Sequence, residues 1–133
     1  MICRMVGLLA LTTAILVPSA AGACTVGWSE PSEAQARAAS TVVVSGRYDV
    51  RAGRDAKSHD LWWAGTITAA KVTKGPRRSA YSVSNRAEMQ EGCPRGWLPD
   101  PARHPQPYGG TFFLEPSGRG TYLIIKFVPN RKR

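Results

Sequence analysis

The sequence predicts an all-β domain: a small, mainly antiparallel β-barrel of about five strands with one short N-terminal helix. Three observations carry this expectation. Long β-branched runs, "TVVVSGRYDVRA" and "LWWAGTITAAKVTKG", are each interrupted by a glycine. The strands of a small closed barrel coil sharply and need such bends. The stretch "GGTFFLEPSGRGTYLIIKFVPN" reads as two strands around a Pro/Gly turn.

The elements follow in order. Arg4 is the only charge before Glu30, and a twelve-residue apolar run, "VGLLALTTAILV", occupies residues 6–17. Pro18 breaks it, and small residues continue to Ala23. A basic start, a short apolar centre and an A-x-A end form the pattern of a secretory signal peptide. The run is too short to cross a bilayer, which needs about 20 apolar residues. Residues 1–23 are therefore expected to be a leader cut after Ala23. Residues 24–133 are expected to be a single domain, secreted or periplasmic. No transmembrane segment is expected later in the chain, because the most apolar stretch there, "TYLIIKFV", has strand length and is interrupted by Lys126.

Residues 29–40 read as the helix. Pro31 suits its first turn, Glu30 and Glu33 favour the positive end of its dipole, and alanine dominates its body. Residues 41–52 form the first strand, with a bulge or bend at Gly46. A polar loop over 53–60 leads to a second strand over 61–75, with a further bend at Gly65 and a stop at Gly75-Pro76. A third short strand spans 79–85. Residues 86–108 read as irregular. Five prolines between Pro94 and Pro107 forbid a central strand there. A segment of that length is expected to be a functional loop or a disulfide-pinned arm. The last two strands span 111–114 and 121–128, and the tail 131–133 is expected to fray.

The chain carries 18 Lys and Arg against nine Asp and Glu, a net charge of +9. Arg4 leaves with the leader, so the mature chain would carry +8. Basic clusters fall at Arg47-Arg51-Arg54-Lys57, at Lys71-Lys74-Arg77-Arg78 and at Arg131-Lys132-Arg133. This balance favours anionic surfaces such as an envelope polymer. Export argues against nucleic acid as a partner. A base composition rich in arginine codons would give the same charge without any ligand.

Little in the sequence points to catalysis. His59 and His104 lie in expected loops with no partner at a ligand spacing, and no G-x-S-x-G, HExxH or phosphate-binding glycine loop is present. No cofactor or bound metal is expected, and a small hydrolase dependent on those histidines is the weakest alternative. The tryptophans Trp28, Trp62, Trp63 and Trp97 offer either an aromatic platform beside arginines or ordinary packing, with one of Trp62 and Trp63 facing the core. Trp97, with Arg95 and Arg103 in the Pro-rich arm over 94–107, is the expected contact surface for a protein partner.

Once the leader is removed, Cys24 and Cys93 remain. Two cysteines in an oxidising compartment suggest one disulfide. Closing a loop of about 70 residues would contribute on the order of 4 kcal/mol in the chain-entropy model. Cys24 has other uses: "AGAC" is a partial lipidation signal, although Ala21 stands where leucine is usual, and a lipidated Cys24 would leave Cys93 unpaired.

The order of Cys24, an Ala-rich helix, "VVVSGRYDV", "VTKGP", Cys93 and "GGTFFLE" resembles the OB-fold of the netrin-like family, which includes the tissue inhibitors of metalloproteinases and bacterial secreted homologues. The resemblance implies a five-stranded OB-fold-like barrel. It also implies that Cys24, tied to Cys93, would chelate a metalloprotease's zinc through its α-amine and carbonyl, with Thr25 entering the specificity pocket. Val26 stands where those inhibitors have a second cysteine. The expected function is a non-enzymatic binding domain, with metalloprotease inhibition as the alternative.

Overall fold

The computed structural model describes residues 28–54, 61–90, 95–100 and 106–131. The elements are α1 (Glu33–Ala39), β1 (Val42–Arg54), β2 (Leu61–Lys74), β3 (Ala80–Ser84), α2 (Arg86–Gln90), β4 (Tyr108–Ser117) and β5 (Thr121–Pro129). The strands close into a barrel in the order β1-β2-β3-β5-β4, with β4 returning to β1. All pairings are antiparallel except β3 with β5, which is parallel. This is an OB-fold-like all-β barrel, as the sequence predicts.

Closure is made possible by β1, which pairs with β2 along one edge and with β4 along the other. Its register with β2 shifts between Val43 and Val44 and again between Ser45 and Gly46. The expected bulge at Gly46 is therefore present. Gly46 lies directly opposite Gly110 of β4. A Cβ on Gly46 would strike the Thr68 carbonyl, and one on Gly110 would strike the Val128 carbonyl. Neighbouring strands approach too closely here for any side chain, and the sheet folds over at this point.

Burial alternates along β2 and β3, while β1, β4 and β5 each bury a consecutive run, Val42–Val44, Phe112–Leu114 and Leu123–Ile125. Val42, Val44 and Tyr48 of β1, Trp63 and Ile67 of β2, and Tyr81 and Val83 of β3 are buried. Phe112 and Leu114 of β4 meet Leu123 and Phe127 of β5 in the same core. Aromatic rings fill one region: Phe112 stacks on Phe127 at 4.8 Å, and Tyr48 meets Phe112 edge-on at 5.8 Å. Among the described residues, no helix is long and apolar enough to cross a membrane.

Two departures from the expected elements are local. α1 begins at Glu33 rather than residue 29, because Ser32 caps it and Pro31 lies outside. Residues 86–90, expected to be irregular, form the one-turn helix α2. Asn85 sets it off: its buried side-chain oxygen accepts from the Trp63 backbone N–H at 2.9 Å, extending the β2–β3 ladder by one residue before the chain turns.

Candidate functional site

Two chain segments outside the strands are fastened to β5. The first leads into α1. Ser32 and Gln35 form a capping box, in which the Gln35 N–H donates to the Ser32 hydroxyl at 3.2 Å and the Ser32 N–H to the Gln35 side-chain oxygen at 2.9 Å. Upstream, Lys126 of β5 donates its ammonium to the Glu30 carboxylate at 3.0 Å and to the Pro31 carbonyl at 2.9 Å. Lys126 is the one charge inside an apolar strand, and its side chain is 18% exposed. The two bonds satisfy it and fix residues 30 and 31 against the barrel.

The second segment precedes β4. Trp97 donates its backbone N–H to the Ile124 carbonyl at 2.7 Å. The preceding Gly96 has φ +97°, and a Cβ there would lie 2.7 Å from Leu123 Cδ1, so glycine permits both the turn and the close approach. Arg95 forms an ion pair with Glu115 of β4. The anchors Ile124 and Lys126 are two residues apart on β5, roughly 7 Å along a strand.

Each segment presents one large apolar side chain to solvent. Trp28 is 38% exposed and Leu98 is 49% exposed, and these are the exposed large hydrophobics among the described residues. The described chain starts at Trp28, four residues after Cys24, and resumes at Arg95, two residues after Cys93. Glu30, Pro31 and Trp97 thus lie beside β5.

Trp97 corrects an expectation. Its ring is 8% exposed and packs on Phe127 at 4.8 Å and edge-on to Tyr108 at 5.5 Å. The ring belongs to the core, and Leu98, its neighbour, takes the exposed position. Arg95 is exposed and is paired with Glu115. Cys24, Thr25, Cys93, Arg103, His59 and His104 lie outside the described residues. Trp63 is buried while Trp62 is half-buried with the Arg86 guanidinium over its ring, so the adjacent pair divides between core and surface. Sequence reasoning missed Glu30, Lys126 and Leu98; the signal for Lys126 was a lone cation within "TYLIIKFV".

Two phenols of the barrel interior have raised pKa values. Burial, and then the neighbouring Tyr108, raise the Tyr48 phenol above its usual range. Burial, and then the Asp100 carboxylate, raise Tyr108. Both phenols stay protonated at neutral pH. Among the described residues, their hydroxyls and the Trp63 indole N–H are buried without a hydrogen-bond partner. Among the described residues, no group of three or more His, Cys, Asp and Glu is placed to hold a metal. No family model, no curated protein and no solved structure matches this chain.

Proposed function

We propose that this chain is an exported, non-enzymatic binding domain that grips a protein partner at the edge built on β5. The observation that carries this reading is the pair Trp28 and Leu98: two apolar side chains held out to solvent on segments whose backbones are pinned two residues apart on one strand. Exposed large apolar groups are what partner surfaces use as anchors. A Cys24–Cys93 disulfide would join the two segments upstream and stiffen the same edge.

The test is site-specific photo-crosslinking in the native host, with the photoreactive residue at 28 or at 98 and controls at 37 and 51. One protein captured from both edge positions and from neither control supports the edge. Identical capture at all four positions, or capture at neither edge position, removes it.

A second reading, zinc metalloprotease inhibition through Cys24 and Thr25, is favoured by the same convergence, since an inhibitory N-terminus must be held rigidly. It requires a free α-amine on Cys24. Acetylating that amine should abolish inhibition across a metalloprotease panel; inhibition that survives acetylation counts against it. A lipid at Cys24 would add acyl mass to the intact chain and end both the disulfide and the chelation.

A further inference from the structure

We propose that the β2–β3 connection is a substrate-like loop that inhibits an arginine-specific serine protease, with Arg77 entering the protease's acidic specificity pocket. Every residue from Thr73 to Ala80 is exposed, and residues 76–78 form no helix, strand or turn. Exposed tips of this kind are where proteases ordinarily cut. An inhibitor differs from a substrate in holding the same residues ready in one conformation. Here one side chain does so. The Tyr81 hydroxyl donates to the Pro76 carbonyl and accepts from the Arg78 N–H at 3.1 Å. It grips the residue before Arg77 and the residue after it. Tyr81 is buried, and its ring meets Tyr122 edge-on at 5.8 Å, so the grip is fixed to the barrel wall. The N–H and carbonyl of Arg77 itself make no hydrogen bond among the described residues, which leaves them for a protease.

Both limbs of the loop are tied to the barrel. The Thr73 hydroxyl donates to the Val43 carbonyl at 3.3 Å, and the Lys74 ammonium donates to the Arg37 carbonyl at 2.7 Å. On the other limb the Ala69 N–H donates to the Ser79 carbonyl at 2.9 Å. The charge fits one class of protease. No acid lies between Leu61 and Ala87, and Lys71, Lys74 and Arg78 flank Arg77. Arg77 and Arg78 form no ion pair among the described residues. A trypsin-like protease selects arginine with a carboxylate in its specificity pocket, and a loop of one sign is drawn to it. The bond-breaking step is reversible. The protease's serine oxygen adds to the Arg77 carbonyl carbon, the bond to the Arg78 nitrogen breaks, and the serine proton leaves on that nitrogen. Tyr81 and the anchored Ser79 hold the new amine beside the ester. The amine therefore adds back, reforms the peptide and returns the proton to the serine.

The experiment measures the amidase activity of trypsin and of chymotrypsin in the presence of the purified protein, with the intact mass of the chain followed over hours. Trypsin should be inhibited competitively, and about 100-fold or more tightly than chymotrypsin, whose pocket is apolar. Arg77→Ala should weaken inhibition about 100-fold or more, Arg77→Lys about tenfold or less, and Arg78→Ala about fivefold or less. The Arg77–Arg78 bond should be cut slowly, and Tyr81→Phe should speed that cleavage about tenfold or more. The proposal is overturned if trypsin is not inhibited, whether the chain stays intact or is cut as an ordinary substrate. It is also overturned if chymotrypsin is inhibited equally, if Arg77→Ala inhibits as well as the unaltered chain, or if folded Tyr81→Phe is cut no faster. Arg77 is exposed, so its replacements decide the outcome even if Tyr81→Phe fails to fold. The loop shares no residue with the β5 edge, so each surface fails or stands alone.

Discussion

The backbone N–H of Trp97 is bonded to the carbonyl of Ile124 at 2.7 Å, and its ring lies 4.8 Å from that of Phe127 on the same strand. A segment rich in proline thereby becomes part of the barrel wall. Trp97→Ala should destabilise the fold by about 3–5 kcal/mol, the range for deleting a buried large aromatic ring. Urea denaturation measures this directly. A loss below about 1 kcal/mol would mean that the ring is not a core element.

Two buried tyrosines should respond oppositely to the loss of one oxygen. The Tyr81 hydroxyl donates to the Pro76 carbonyl and accepts from the Arg78 N–H at 3.1 Å, tying down the β2–β3 turn. Tyr81→Phe should cost about 1–2 kcal/mol. The Tyr48 hydroxyl has no partner among the described residues, so Tyr48→Phe should be neutral or stabilising by up to about 1 kcal/mol. Equal destabilisation by both substitutions would show that Tyr48 is satisfied in solution, by an internal water for example.

Stability should fall at alkaline pH. The folded-state pKa values of Tyr48 and Tyr108 are raised, while both titrate near 10 in the unfolded chain. Below that pH both states hold the protons and no dependence arises from these groups. Above it the unfolded chain loses protons that the folded chain keeps, and each phenol lowers stability by about 1.4 kcal/mol per pH unit until its folded pKa is reached. Denaturant midpoints from pH 8 to 11.5, compared with those of Tyr48→Phe, would show whether the slope shrinks as it should.

The Lys126 clamp should hold the N-terminal segment without supporting the barrel. Glu30 is nearly half exposed, so Glu30→Gln should change global stability by less than about 1 kcal/mol. Lys126→Met removes both bonds and should speed amide hydrogen exchange at Ser32, whose N–H donates to Gln35, by about tenfold, leaving β5 protected. Unchanged exchange there would show that the capping box alone positions the segment.

The barrel was legible because its signals are local. β-branched runs, a Pro/Gly turn and glycines at bends mark β1, β2 and the β4–β5 hairpin, and the strand ends fall within a few residues of expectation. β4 reaches back to Tyr108 because the Gly109-Gly110 pair, which reads as a breaker, is required where β4 lies against Gly46 and Val128. α2 was hidden because five residues carry no helical period. The burial of Trp97 was hidden for a different reason. Proline marks a segment as non-strand, but it says nothing about which side chain of that segment turns inward. The β5 edge was illegible as a unit, since Glu30 and Lys126 are far apart in sequence and meet only in the closed fold.

Along the β3–β5 seam the one registered position among the described residues is Val83 with Tyr122, and the rings of Tyr81 and Tyr122 meet edge-on at 5.8 Å. The other four seams are antiparallel ladders of many positions. The circle is thus completed by side chains pressed together, with little backbone zipper to join its two ends. A chain built this way can assemble as a curled open sheet, with β3 and β5 as its free margins, and become a barrel in a final act of apolar collapse. The mechanical weak line of the molecule runs between Val83 and Tyr122, where it would split lengthwise under load before any of its hairpins came apart.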